Sequence, residues 1–118
     1  MQRVLAVMVA IAFVLGLTAV GCSKSGAKSD KIKVGFVYIG PIGDGGWTYA
    51  HDEGRRFLEK EAGVETKYKE NVPESPAAEK VMEDMISQGC NVIIGNSFGY
   101  MDYMENVAKR HPDVTFLH

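Results

Sequence analysis

The sequence contains little cysteine and no surplus of positive charge. Its 118 residues include two cysteines, which are too few for a disulfide framework. It has no C-x-x-C motif and no Cys/His cluster, so a metal site has no support. The net charge is −2, whereas nucleic-acid-binding domains usually carry a basic excess. The composition therefore argues against a bound metal and against nucleic acid as a partner.

The first 21 residues have the pattern of a secretory signal peptide. Arg3 is followed by the apolar run Val4–Val20, and small residues precede Cys22. The run is at the short limit for spanning a bilayer, so an uncleaved anchor helix is the alternative. A cysteine after small residues resembles a bacterial lipobox, in which that cysteine is lipidated. We therefore expect a cleaved signal peptide, a lipid on Cys22 and a flexible tether over residues 22–30. The lipid would anchor the protein on the periplasmic or other extracytoplasmic face of the cell membrane.

Strand-like and helix-like patterns alternate over residues 31–118. The first segment is apolar and β-branched, which favours a strand buried on both faces. Cys90 precedes another apolar run and is expected to be buried as a small hydrophobe. Such alternation predicts an α/β fold with a doubly wound parallel sheet. Strands are expected at Lys31–Ile39, Val64–Glu70, Cys90–Gly95 and Asp113–His118, and helices at Trp47–Ala62, Ser75–Gly89 and about Tyr100–Pro112.

The expected sheet also predicts where a ligand binds. The common strand orders place strand 1 in the centre, beside strands 2 and 3. Ligands of such sheets bind at the carboxyl ends of the strands, where the winding reverses. This point lies between strands 1 and 3, at the loops Gly40–Trp47 and Asn96–Gly99.

The first of these loops combines glycines with one acid and one large aromatic side chain. Glycines such as Gly45 let the backbone turn sharply and approach a ligand. One interpretation is structural, with Asp44 capping the next helix and Trp47 in the core. The other is functional, with Asp44 as a polar anchor beside a ring on which a planar base stacks. The loop matches neither the dinucleotide fingerprint nor the P-loop, which disfavours a phosphorylated ligand or a nucleotide cofactor.

The second loop offers hydrogen-bonding groups and another aromatic ring. Asn96 and Ser97 can donate and accept hydrogen bonds. Phe98 and the first loop's tryptophan would flank a planar ligand from neighbouring strand ends. The structural alternative is that Phe98 and Tyr100 close the top of the sheet.

The remaining charged residues do not form a catalytic arrangement. His51 and Asp52 either contact the ligand or belong to a solvated helix face. Arg55–Glu61 is expected to be a solvated face with ion pairs, and His111 a surface residue near a helix end. No nucleophile converges with a base, and no cluster of metal ligands is visible. The sequence therefore does not predict an enzyme.

Several of these segments together resemble the basic membrane protein (BMP) family. They are the lipobox-like Cys22, KVGFVYIGPIGDGGWTYAHDEGRRFLE, YKENVPES and NSFGYMDYMENVAKRHPDVTFLH. Members are substrate-binding lipoproteins of ABC importers, and they bind purine nucleosides or related purines. The resemblance implies a type I periplasmic-binding-protein fold of two lobes, without enzymatic activity, that works with an ABC permease and ATPase. It further implies that residues 31–118 form part of the first lobe and that the second lobe is missing.

The resemblance also implies roles for individual residues. Asp44 matches an acidic ligand-contacting position, and Trp47 matches the aromatic residue that stacks on the purine. Thr48 stands where nucleoside-binding members often have asparagine, which leaves a free base such as adenine open as the ligand. Ser97 and Phe98 match the loop that lines the cleft. A ligand-sensing module of the same fold and a doubly wound enzyme acting on nucleosides are the alternatives, and the enzyme would need an acidic metal-binding cluster.

Overall fold

Strands and helices alternate through the residues that the computed structural model describes, 31–118. Two short 3-10 turns, at Ile42–Asp44 and Phe98–Tyr100, precede the first and third helices. The expected signal peptide, lipid-bearing Cys22 and tether lie outside the described residues. Among the helices of the described part, none is both long enough and apolar enough to span a membrane. The elements are β1 (Lys33–Val37), α1 (Trp47–Ala62), β2 (Glu65–Lys69), α2 (Ala77–Ser87), β3 (Val92–Gly95), α3 (Met101–Arg110) and β4 (Thr115–Leu117).

The four strands form a parallel sheet in the order β2-β1-β3-β4. Phe36 in β1 lies in register with Tyr68 in β2 on one side and with Ile94 in β3 on the other. The α/β fold class and the central position of β1 are therefore confirmed. The winding reverses between β1 and β3, as the sequence predicted.

Helices cover both faces of the sheet. The side chains of α2 and α3 form the larger core cluster, in which Cys90 is buried as expected. Two glycines bring these helices close to the strands. A Cβ atom on Gly35 would lie 2.7 Å from the Met85 sulfur, and one on Gly95 would lie 2.7 Å from the Met104 sulfur. Larger residues at these two strand positions would therefore push the helices outward.

The buried face of α1 is polar, which the apolar spacing does not reveal. Trp47 and Phe57 are 63% and 64% exposed, whereas Asp52 and Arg55 are buried. The Arg55 Nε donates to Asp52 Oδ1 at 2.6 Å, and the hydroxyl of Tyr38 donates to the same oxygen at 3.3 Å. The interpretation of Asp52 as part of a solvated face is therefore wrong, and so is that of Arg55. These paired charges share the inner face with Leu58, which packs against the cluster of Val34, Phe36 and Tyr38.

The ion pairs expected on α1 are present. Arg55 Nη1 lies 2.8 Å from Glu59 Oε1, and Lys60 Nζ lies 3.0 Å from Glu61 Oε1. Burial by itself would raise the pKa of Asp52, but the hydrogen bond and charge of Arg55 hold that pKa below its usual value. The charged carboxylate is thus the form that the fold stabilises.

Candidate ligand-binding site

A cavity opens at the carboxyl ends of β1 and β3, where the sequence places the cleft. Its volume is about 360 Å³. Both aromatic candidates, Trp47 and Phe98, line it together with Ser97. Asp44 and Gly45 lie in the adjoining loop, and Gly45 has the positive φ of 64° that favours glycine. The full lining is Trp47, His51, Gly95, Asn96, Ser97, Phe98 and His118.

The side chain of Asp44 caps the N-terminus of α1. Its carboxylate accepts hydrogen bonds from the backbone N–H groups of Gly46 at 2.8 Å, Thr48 at 3.0 Å and Tyr49 at 3.0 Å. These donors lower the pKa of Asp44. The capping role is therefore confirmed. The side chain is also exposed, so its charge faces solvent in the loop that adjoins the cavity.

The Trp47 indole is exposed but held in one orientation. Its Nε1 donates to the backbone oxygen of Asn96 at 2.5 Å, which ties the start of α1 to the end of β3. Its ring centroid lies 4.6 Å from that of His51. The interpretation that places Trp47 in the core is wrong, because this hydrogen bond turns the ring along the cavity wall. An exposed ring with a fixed orientation is suited to stacking.

Asn96 joins the two loops from below the cavity. It is buried, and its side-chain oxygen accepts the N–H of Ile39 at 2.9 Å. Its amide nitrogen donates to the hydroxyl of Thr48 at 3.4 Å. Thr48 is fully buried, so in this structure its hydroxyl faces Asn96. The expected ligand contact of Thr48 does not fit this position, because a side chain without exposed surface cannot touch a ligand in the cavity.

The two aromatic residues at the end of the second loop differ in exposure. Phe98 is 81% exposed, whereas Tyr100 is fully buried and its hydroxyl donates to the backbone oxygen of Val72 at 2.6 Å. The expectation that Tyr100 closes the top of the sheet is therefore confirmed, and the same expectation for Phe98 is wrong. Ser97 also lines the cavity, and its hydroxyl donates to Glu74 Oε1 at 2.5 Å.

Two histidines add hydrogen-bond acceptors to the lining. The Nδ1 of His51 lies 2.7 Å from the oxygen of Trp47, and the Nε2 of His118 lies 2.8 Å from the oxygen of Ser97. A carbonyl oxygen only accepts, so these ring nitrogens donate, and in a neutral ring the other nitrogen accepts. The sequence left the role of His51 open. His51 follows Trp47 by four residues, and residues four apart lie on the same side of a helix, so this spacing predicts that both face the cavity.

His111 belongs to the surface and not to the cavity. His111 follows α3, and its Nε2 lies 2.6 Å from Glu83 Oε2, so it is part of a surface ion-pair cluster. Within residues 31–118, no group of three or more metal-binding side chains comes together. The arrangement at the cavity can stack a planar ring and accept hydrogen bonds from it.

A parallel sheet with a ring-lined cavity at its switch point is the open α/β architecture that binds ligands at the carboxyl ends of its strands. Solved structures support the fold. An ABC transporter solute-binding protein from Conexibacter woesei matches with a TM-score of 0.66 and 24% identity, over 72% of this chain and 28% of that chain. An ABC transporter solute-binding protein from Aeropyrum pernix matches with a TM-score of 0.60 and 24% identity, over 72% of this chain and 23% of that chain.

The family model for PnrA-like (Bmp) ABC transporter substrate-binding proteins matches residues 31–118. The chain belongs to this family, which is one of transporter binding proteins and not of enzymes. A purine-binding protein of Brucella abortus is 50% identical over 75% of this chain and 26% of its own length. A Haloferax volcanii protein, named as a putative ABC transporter glucose-binding protein, is 38% identical over 78% of this chain and 24% of its own length. The chain thus spans about a quarter of the length of these curated relatives.

Proposed function

We propose that this chain provides one wall of a cleft that captures a purine base or nucleoside for an ABC importer and delivers it to the membrane permease. The observation that carries the proposal is the pair of exposed rings, Trp47 and Phe98, on one cavity at the β1–β3 switch point. The 50% identity to a protein named as purine-binding supports the same ligand class.

The lining suits the chemistry of a purine. Base–aromatic stacking contributes about 1–3 kcal/mol per base, and the cavity offers two rings for it. Asp44 lies in the adjoining loop, and its carboxylate keeps acceptor capacity beyond the three N–H groups that it already accepts. In the neutral rings of His51 and His118, the nitrogen that does not face a carbonyl accepts a hydrogen bond. The N–H groups of a purine are the donors that such acceptors bind. Recognition by stacking and by acceptors together favours a planar ligand with several N–H groups.

A phosphorylated ligand fits this site poorly. Helix N-termini bind phosphate when their N–H groups are free. Here the carboxylate of Asp44 already accepts the N–H groups of Gly46, Thr48 and Tyr49 at the start of α1. Its negative charge would also repel a phosphate. We therefore place bases and nucleosides ahead of nucleotides.

A sugar is the second candidate ligand. The glucose-binding name of the Haloferax relative favours it, and sugars also pack on aromatic rings. Two rings on one cavity favour a planar base, which can stack on both.

We also propose that a lipid on Cys22 keeps the binding lobe at the outer face of the membrane. The support is the signal-peptide pattern before Cys22 and the family of extracytoplasmic binding proteins to which the chain belongs. Cys22→Ala should leave the protein unprocessed or release it from the membrane, as fractionation and the mass of the mature protein would show. Membrane retention with an unchanged mass would contradict lipidation.

Binding measurements on the full-length protein test the proposed ligand class. Isothermal titration calorimetry would compare adenine, adenosine, inosine, AMP and glucose. We expect binding of a base or a nucleoside, and markedly weaker binding of AMP. Tight binding of glucose without binding of any purine would replace the proposal by the sugar. AMP binding as tight as that of adenosine would refute the exclusion of phosphate.

A further inference from the structure

The loop between β2 and α2, residues 70–76, lies against both loops of the cavity. Glu70 Oε1 accepts the N–H of Ile42 in the first loop at 2.6 Å. The oxygen of Val72 accepts the hydroxyl of Tyr100 beyond the second loop at 2.6 Å. This segment does not line the cavity itself, yet it is joined to each of the two loops that do.

Glu74 makes the closest connection between this segment and the second loop. Its Oε1 accepts the hydroxyl of Ser97 at 2.5 Å and the backbone N–H of Gly99 at 3.0 Å. These are the residues on either side of Phe98. One carboxylate oxygen therefore holds both neighbours of the most exposed ring in the described chain.

The glycine at position 99 is matched to this carboxylate. A Cβ atom there would overlap Cδ and Oε1 of Glu74. Any larger residue at position 99 would therefore force the Glu74 side chain away. The two residues form one contact, and changing either breaks it.

We propose that Glu74 is a positioning residue for ligand binding, which orders the Phe98 loop before the ligand arrives. A side chain that is already held loses less freedom on binding than one that must be immobilised by the ligand. Glu74 does not itself line the cavity, so its effect on a ligand passes through its hydrogen bonds to Ser97 and Gly99. The choice of ligand rests on the proposed function, whereas the ordering of the loop does not.

Four variants of the full-length protein separate this role from a general effect on folding. Glu74→Ala removes both hydrogen bonds, and Glu74→Gln removes the charge but keeps an oxygen that accepts them. Gly99→Ala displaces the carboxylate, and the double variant Glu74→Ala/Gly99→Ala tests whether the two changes act through one contact. Glu105→Ala is the matched control, because Glu105 is an exposed glutamate that pairs with Lys109 on α3.

The first measurement needs no ligand. 4-Fluorophenylalanine placed at position 98 would report loop order by fluorine NMR, and amide exchange would report the Gly99 N–H. We expect Glu74→Ala and Gly99→Ala to broaden or shift the fluorine signal and to speed exchange. Glu74→Gln and Glu105→Ala should resemble the wild type. An unchanged signal and unchanged exchange in Glu74→Ala would overturn the proposal.

The second measurement is the affinity for adenine and adenosine by calorimetry. In Glu74→Ala and Gly99→Ala the ligand must immobilise the Phe98 side chain, which costs conformational entropy. We therefore expect about three- to tenfold weaker binding in these two variants. The double variant should be no weaker than either single variant, and Glu74→Gln should stay within about twofold of wild type. Unchanged affinity in Glu74→Ala, or additive losses in the double variant, would overturn the proposal. If the wild type binds no purine, the proposed function fails and the fluorine signal alone decides the role of Glu74.

Discussion

The most direct test of the site is a pair of substitutions at Trp47. The indole has two functions that separate variants can distinguish. Its exposed face is the proposed surface for stacking, and its Nε1 bond to the oxygen of Asn96 fixes the orientation of the ring. Trp47→Ala removes both functions, whereas Trp47→Phe keeps a ring and removes only the N–H donor.

The expected magnitudes follow from these contacts. Loss of base stacking in Trp47→Ala should weaken purine binding by about 1–3 kcal/mol, which is roughly 5- to 150-fold in Kd. Trp47→Phe keeps an aromatic ring and should weaken purine binding less than Trp47→Ala does. Both variants lose the hydrogen bond from Nε1 to the oxygen of Asn96, so each should lose about 0.5–1.5 kcal/mol in the free energy of unfolding, the usual net contribution of one hydrogen bond.

Calorimetry with adenine and adenosine measures the affinity, and chemical denaturation of the same preparations measures stability. Tyr49→Ala is a suitable control, since Tyr49 is another exposed aromatic residue of α1 that does not line the cavity. The stacking argument is refuted if Trp47→Ala binds purine as tightly as the wild type. A loss of affinity that matches an equal loss in the Tyr49→Ala control would also refute it.

Three further predictions concern stability. Asn96→Ala leaves the buried hydroxyl of Thr48 without its donor, so denaturation should show a loss of about 1–3 kcal/mol; a loss below 0.5 kcal/mol, on the order of a surface change, would contradict this. Asp52→Asn should cost roughly 1–3 kcal/mol at pH 7 through weaker pairing with Arg55. Because the fold lowers the pKa of Asp52, this difference should be present above about pH 4 and vanish as the pH falls through the folded-state pKa; a constant difference in acid denaturation would be inconsistent with it. Phe57→Ser should change the free energy of unfolding by less than about 0.5 kcal/mol, because the ring is exposed; a loss above about 1.5 kcal/mol would show a buried ring.

The fold and the place of the site could be predicted because they depend on local patterns. The apolar run of β1 and the glycines beside it specify a central strand and its turn. The switch-point rule then brings the loops of Asp44 and Phe98 together without any knowledge of distant contacts. Asp44 was also predictable as a cap, since its partners are its own neighbours in sequence.

Side-chain burial could not be predicted in the same way. Asp52 is buried because Tyr38, fourteen residues earlier, and Arg55 supply its partners. Thr48 faces the interior because Asn96 arrives from another strand. Such long-range hydrogen bonds leave no periodic signal in the sequence, so polar residues on the inner side of α1 look like a solvated face. Glu74 was missed for the same reason, because its partners lie more than twenty residues away.

The acids around the cavity explain why a fold that often binds phosphate presents rings here instead. The N–H groups at the start of α1 would form a phosphate site if they were free, and the first loop is rich in glycine. Asp44 accepts those N–H groups, and Glu74 accepts the N–H of Gly99 near the start of α3. What remains open to a ligand are the faces of Trp47 and Phe98 and a set of acceptors. We therefore propose that selectivity for an uncharged planar ligand depends on where Asp44 and Glu74 place their carboxylates, and not on the shape of the glycine-rich loop.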